Sequence, residues 1–434
     1  MIKALIYLTV ISSFIPASVL SINIGFMQIS AYRIMIMLLP FACFLKLNST
    51  FQINNELFFY NKQNNYSVLF MMFWLFYSLM SFLWSPSIID TFKHTYFIAC
   101  GVMCIFAFYL LIENVEDVYF CLLASTFVIC IHGIIGWTEI FTGNYLIETE
   151  YTFAYAIQKL PVSAMYNVNG FATCMTSGVF LAFAVWKTAK SKLTTIYAFI
   201  VMISSFLIVI WSRSRANIYG LTLAIGVLLI LSGKKIFVNI FLILILAFST
   251  FFICGLFFPW ITELFTDTVL TDITGINLEY GSDYVRINLI KNGLHFLLQN
   301  LLMGTGAGGI EHWMASEWIY ETEGIINMHN WWMEILTAYG VFVFIGYLFF
   351  YVKLCFDMFK IYRATNNTKE MYLSLAMIGM LISFVISSVS SSSNIGDSSI
   401  WTFFAIAIAF QKIGSSYKQK NLPEIGPNSW YLSP

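Results

Sequence analysis

Residues Gly304 to Gly340 read GTGAGGIEHWMASEWIYETEGIINMHNWWMEILTAYG. The first part is rich in glycine, and the middle carries Glu311, His312, Glu317, Glu321 and Glu323. At His329-Asn330 the polar character stops, and Trp331-Trp332 open an apolar run that continues past residue 350. A change this abrupt marks a chain entering a hydrocarbon layer, whose crossing takes roughly 20 apolar residues. The same kind of run recurs along the whole chain, near residues 4–22, 30–47, 66–84, 95–112, 118–138, 168–186, 194–211, 216–232, 236–257, 331–352, 371–390 and 399–412. Of the 434 residues, 59% are hydrophobic and only 10% charged. A soluble domain carries about a quarter charged residues, so a soluble globular core is excluded.

The sequence therefore predicts an all-α polytopic integral membrane protein of about 12 transmembrane helices. One long extracytoplasmic loop contains an amphipathic helix. Four regions follow: helices 1–5 with an outer loop over 1–165, helices 6–9 over 166–257, the large loop over 258–330, and helices 10–12 with a tail over 331–434. The N-terminal run lacks a small-x-small cleavage pattern and reads as an uncleaved first span. Nearly all of the eight cysteines lie in apolar runs and none in the long loop, which argues against a disulfide framework or a cysteine zinc site.

Twelve spans place both termini on one side, and the positive-inside rule selects the cytoplasm. That orientation puts fifteen Lys and Arg inside and seven outside, with acidic residues divided seven to fifteen the other way. Against this bias, the four-residue connection Ser212-Arg213-Ser214-Arg215 faces outward. One reading is head-group anchoring by snorkelling side chains. The other is an anion clamp, because a guanidinium matches phosphate oxygens in a bidentate manner.

Asn167 and Asn169 open the sixth span at the same side, where Asn before a helix usually caps it; an amide pair there also suits sugar hydroxyls. In the long loop, Tyr284 to Met303 has helical periodicity. Asn288, Lys291, Asn292, His295 and Gln299 form a polar stripe, Ile290, Leu294, Leu297 and Leu301 an apolar one, and Arg286 falls with the apolar set. The helix is expected to lie on the outer interface with Arg286 directed at the membrane body, paired either in a structural ion pair or with a phosphate-bearing ligand. Gly304, Gly306, Gly308 and Gly309 follow a helix, not a strand, so they read as close-packed backbone, not as a phosphate loop. The Glu and His residues have no metal-binding spacing. His329 sits where the loop re-enters the membrane, on the side assigned to Arg213, Arg215 and Arg286.

Two or three arginines with one histidine, outside the cytoplasm and beside the bilayer, suit transfer from a lipid pyrophosphate. The cations stabilise the leaving charge, and an imidazole near neutrality accepts or orients the acceptor proton. Four stretches, in order, resemble the O-antigen ligase and polymerase superfamily, which includes Wzy-type polymerases and teichuronic acid polymerases. Asn167-Val168-Asn169 is similar to its N-P-N, and Ser214-Arg215 to its S-R-G turn. Arg286 precedes Gly304-Thr305-Gly306-Ala307-Gly308, and His329-Asn330 through Glu334 to Gly340 is similar to H-N-x-x-L-E…G. The resemblance covers roughly Tyr166 to Gly346; Val168 departs from the usual Pro, and Ala338 stands where an acidic residue is frequent.

That likeness implies a membrane glycosyltransferase of the C type, using no cofactor or metal and inverting the transferred sugar. It implies His329, Arg215 and Arg286 as catalytic, with Arg213, Asn330, Asn167, Asn169 and Glu334 binding substrate. The implied partners are a polyprenyl-pyrophosphate-linked oligosaccharide donor, a glycan or lipid acceptor, membrane lipids and a chain-length regulator, with no nucleic acid. The implied place is a bacterial inner membrane. A polymerase is the first reading and a ligase to lipid A core or protein the second. A flippase is a third, but a transporter favours mid-membrane charge and repeated halves, whereas here the charges gather at the outer mouth.

Overall fold

The recurring apolar runs become helices in the computed structural model, which describes residues 2–17, 19–24, 27–54, 66–149, 151–165, 167–233, 282–391 and 393–420. In chain order they are α1 (Ile2–Ser13), α2 (Ala31–Asn54), α3 (Tyr66–Met80), α4 (Ile88–Leu111), α5 (Val115–Thr142), α6 (Thr152–Gln158), α7 (Val168–Thr188), α8 (Lys192–Trp211) and α9 (Arg215–Leu231). They continue as α10 (Ser282–Gln299), α11 (Gly309–Ser316), α12 (Trp331–Ala364), α13 (Thr368–Ser387) and α14 (Ser398–Lys420). Among the described residues eight helices are long and apolar enough to cross a membrane, and α1, α9 and residues Ser398–Gly414 are shorter apolar helices. The chain is an all-α, multi-pass membrane protein. Of the expected spans, 236–257 lies outside the described residues, as does the first part of the long loop.

Short polar caps start these helices. Asn114, Asn167, Asn330 and Asn367 each accept backbone N–H groups of the first turn of the following helix. This satisfies donors that have no partner within the helix.

The first expected span, 4–22, needs correction. Helix α1 stops at Ser13, short of Pro16, and the chain then forms an antiparallel hairpin of β1 (Ser21–Ile24) and β2 (Met27–Ser30). At about 1.5 Å per residue, a helix of this length falls short of a hydrocarbon core of about 30 Å. The apolar composition was right; alternation in Ser-Ile-Asn-Ile was the unread strand signal.

At the end of the bundle bearing residues 112–117, lysines of α1, α2, α13 and the connection between α7 and α8 converge on acidic residues. Lys3 meets Asp117 at 2.6 Å, Lys369 meets Glu116 at 2.6 Å, Lys190 meets Glu116 at 3.8 Å, and Lys46 pairs with Glu113. The opposite end, here the loop end, carries α6, α10, α11 and the starts of α7, α9, α12 and α14. A small separate core of Val285, Leu289, Phe296, Ile310, Met314 and Met328 holds α10 and α11 together there.

The glycines of the opening stretch lock this layer onto the bundle. Helix α12 breaks at Gly340, at φ 76° and ψ 178°. Thr305 N–H and Gly306 N–H donate to the Thr337 and Ala338 carbonyls at 2.9 and 3.0 Å, while Val341 N–H donates to the Leu302 carbonyl at 3.0 Å. The loop backbone thus supplies partners that the break removes. Gly304 faces Gly340 so closely that a Cβ on Gly304 would lie 2.5 Å from the Gly340 nitrogen.

Candidate active site

Helix α10 carries Arg286, and its neighbours set which way the arginine faces. Val285, Leu289, Phe296, Asn288 and Asn292 are buried, and Gly293 lies against Met328 and Thr337. At 100° per residue Arg286 lines up with Gly293 and Leu297, on the side of the helix directed at the body of the protein. The expected polar stripe is corrected here: Asn288 and Asn292 face inward, not to water. Asn292 accepts from Ile319 N–H and Tyr320 N–H at 3.0 and 2.9 Å and donates to the Tyr320 carbonyl at 2.7 Å, and Asn288 donates to the Glu321 carbonyl at 2.8 Å. Leu294 and Leu301, assigned to an inward apolar stripe, are exposed.

His329 takes a left-handed backbone, at φ 48°, between buried Met328 and the cap Asn330. A non-glycine residue held there is uncommon and is a pointer to function. Burial holds the His329 pKa below its ordinary value, and the positive charge of Arg286 lowers it further. Desolvation and a nearby like charge both penalise the imidazolium. His329 and Arg286 therefore share one electrostatic environment, in which the imidazolium is disfavoured.

Asn330 accepts from Trp332 N–H at 3.1 Å and Met333 N–H at 3.2 Å, so its side-chain oxygen caps α12. Trp331 N–H donates to the Ser388 carbonyl at 3.0 Å, seating the junction on the end of α13. Helix α9 crosses the same end of α13, with Gly220 so close that a Cβ would lie 2.6 Å from the Ser383 carbonyl oxygen. The arginine turn and the His329 junction therefore flank one helix end.

In that turn Arg213 is exposed and left-handed, at φ 54°, while Arg215 is half-buried at the first position of α9. Ser214 hydroxyl donates to Asn169 Oδ1 at 2.7 Å. Asn217 Nδ2 donates to Ser214 Oγ at 2.9 Å, and Thr176 hydroxyl to Asn217 Oδ1 at 3.2 Å. Asn169 thus fastens the arginine turn to α7, and Asn167 caps α7 through Gly170 N–H at 2.6 Å. Glu334 is buried and accepts from Ser393 hydroxyl at 2.5 Å and Asn394 N–H at 3.2 Å. Its carboxylate holds the connection between α13 and α14, away from solvent.

Sequence reasoning passed over several polar residues within or beside the spans. His94 Nε2 of α4 lies 3.6 Å from Glu311 Oε1 of α11, pinning the loop to the bundle. Burial opposes ionisation of Glu311, but its contact with His94 and the charges of His94 and Lys93 together keep its pKa below the ordinary value. His132 reaches Ser163 Oγ at 2.9 Å and the Phe14 carbonyl at 2.8 Å, and Glu139 accepts from Val162 and Ser163 N–H at 2.8 and 2.7 Å. The pair moors the strap that leads into Asn167. Titratable residues in or against apolar runs were the available signal.

Taken together, the fold is that of a multi-pass helical membrane protein whose loop end carries Arg213, Arg215, Arg286 and His329. Residues 172–348 match the family described as O-antigen ligase, Wzy_C. The chain is also similar to the teichuronic acid biosynthesis protein TuaE of Bacillus subtilis (strain 168), with 26% identity over 427 residues, covering 97% of this chain and 86% of that one. These matches support the O-antigen ligase and polymerase superfamily, as the resemblance of its motifs implied. The family match and the Bacillus relative together support a surface-polysaccharide polymerase or ligase family.

Proposed function

We propose that the protein is a polysaccharide polymerase that transfers a polyprenyl-pyrophosphate-linked glycan onto a lipid-linked repeat unit on the outer face of a bacterial inner membrane. The observation that carries this reading is the placement of half-buried, left-handed His329 in the field of Arg286, at the end of α13 that α9 also crosses. Arg286 and Arg215 hold the pyrophosphate of the donor and offset its growing charge, as preorganised cations do. Arg213 adds charge at the rim. The acceptor hydroxyl oxygen attacks the anomeric carbon from the side opposite the pyrophosphate, so configuration inverts. The bond from that carbon to the pyrophosphate oxygen breaks, the leaving group keeps the electron pair, and the hydroxyl proton passes to His329. A histidine whose pKa is held below the ordinary value by burial and by Arg286 favours the proton-accepting form that this base role needs. Asn167, Asn169, Asn330 and Glu334 act through position: two cap helices, one fastens the arginine turn, and one holds the connection before α14.

The test replaces Arg215 or Arg286 by Ala or Lys and measures surface polymer length at matched protein levels. Loss of long chains in both Ala variants, with poor rescue by Lys, is expected because Lys lacks the planar fork. Normal chain length in both Ala variants would remove the site assignment. Sidedness is read separately by an impermeant maleimide on Tyr320→Cys in intact cells; the described native cysteines are buried or half-buried. Labelling places the loop outside, and protection overturns the orientation.

A further inference from the structure

The loop end carries an aromatic surface that the transfer site does not use. Trp318, Ile319 and Tyr320 are 48%, 52% and 42% exposed. Large apolar side chains at the tip of a polar loop are uncommon unless something covers them. These three do not belong to a slack segment. Glu317 N–H closes α11 on the Trp313 carbonyl at 2.9 Å, and the three hydrogen bonds of buried Asn292 fix the backbone of Ile319 and Tyr320. Asn288 holds the Glu321 carbonyl, and the Lys291 ammonium sits 5.1 Å from the centre of the Tyr320 ring. Two buried amides are thus committed to presenting two aromatic rings outward.

The surroundings decide what those rings meet. Glu317, Glu321 and Glu323 are exposed beside them, with the exposed ammonium of Lys291 over the Tyr320 ring. Three carboxylates repel the anionic head groups that attract basic segments to a bilayer surface. They do accept hydrogen bonds from hydroxyl groups. Fixed aromatic faces flanked by carboxylate acceptors match a sugar, whose C–H face stacks on a ring while its rim hydroxyls donate. The platform is carried by α10, the helix that also carries Arg286, and it lies upstream of His329 by fewer than a dozen residues of one loop.

We propose that Trp318 and Tyr320, with the carboxylates around them, form a glycan-binding platform for uncharged or amino-sugar repeat units, separate from the transfer site. The choice of glycan as ligand rests on the glycosyl-transfer reading above. The platform holds saccharide units remote from the reacting bond and so keeps a growing chain at the enzyme between transfers.

The test uses the full chain in nanodiscs, titrated calorimetrically with one- to four-repeat oligosaccharides cut from the host's own surface polysaccharide. Binding that strengthens with repeat number is expected, weakened at least tenfold in Trp318→Ala/Tyr320→Ala. Equal binding by wild type and the double variant overturns the proposal. In nanodiscs containing brominated lipid, the fluorescence difference between wild type and Trp318→Phe is expected to remain unquenched. Strong quenching would put Trp318 in the bilayer and overturn the glycan assignment. Arg286→Gln separates the two readings: it is expected to lose polymer formation and keep oligosaccharide binding. An Arg286→Gln variant that still polymerises removes the transfer reading while leaving the binding result to decide the platform.

Discussion

Gly340→Ala is the sharpest test of how the loop is locked to the bundle. Gly340 has φ 76° and ψ 178°, a region open essentially to glycine alone. Holding an alanine there costs about 1–3 kcal/mol. Its Cβ would also lie 2.5 Å from the Leu302 carbonyl oxygen and from the Met303 carbonyl carbon and oxygen. Those are backbone atoms and do not swing away as a side chain would, so overpacking adds about 1–3 kcal/mol. Relaxation by separating the strands of the crossing breaks the Thr305, Gly306 and Val341 hydrogen bonds, each of which contributes about 1 kcal/mol. The expected loss is about 2–6 kcal/mol, the sum of the backbone and packing terms. Gly143 supplies the control. It is left-handed at φ 72°, and a Cβ added there would meet nothing within 4 Å, so Gly143→Ala carries only the backbone term, about 1 kcal/mol. Both variants are compared with wild type by reversible denaturation in detergent, following tryptophan fluorescence. A Gly340→Ala loss no larger than that of Gly143→Ala would refute the close crossing and with it the account of the glycine run.

Three further outcomes are expected. Diethyl pyrocarbonate labels neutral imidazole, so the rate at His329, followed by peptide mass spectrometry, should half-saturate below the ordinary 6.5. Arg286→Gln should move that midpoint upward; an unmoved midpoint denies the charge coupling. Because the folded pKa is lowered, protonating His329 disfavours the folded loop. Stability tied to this group is intact above 6.5 and falls as pH drops from 6.5 toward the folded value. Glu334→Leu leaves the Ser393 hydroxyl and Asn394 N–H unpaired at about 1–3 kcal/mol for a buried group, whereas Glu334→Gln keeps an acceptor and should lose less in the same unfolding assay. Asn169→Ala and Ser214→Ala each break one link behind the arginine turn, so each should raise the donor KM more than it lowers kcat, and together they should be less than additive. Additive effects would show that the two residues act separately.

How much of this was legible in the sequence depended on the range of the interaction concerned. The helices and the asparagine cap at Asn167 were readable because each follows from residues close together in the chain. The hairpin at Ser21–Ser30 was missed because hydropathy averaged over a long window hides a four-residue alternation. The face assigned to Asn288 and Asn292 failed for a different reason. Polarity along a helix predicts water only if no backbone waits opposite, and here the 319–321 carbonyls and N–H groups do. A buried polar side chain that satisfies backbone looks, in sequence, the same as a solvated one.

The same reasoning changes the weight of the motif residues. Asn167, Asn169, Asn330 and Glu334 were read as ligands for substrate, yet each is engaged with its own protein. Short motifs record residues that geometry demands, whether they touch substrate or hold what touches it. Here Asn169 fastens the turn that carries Arg213 and Arg215, Asn330 caps the helix that follows His329, and Glu334 holds the connection before α14. A substitution at the asparagines should therefore be repaired by restoring the hydrogen bond, while one at Arg215 or Arg286 requires restoring a guanidinium. Repair of Asn169→Asp, but failure of Arg215→Lys, is the pattern that this division of labour demands. The reverse pattern would return Asn169 to the substrate and make the arginine turn a membrane anchor.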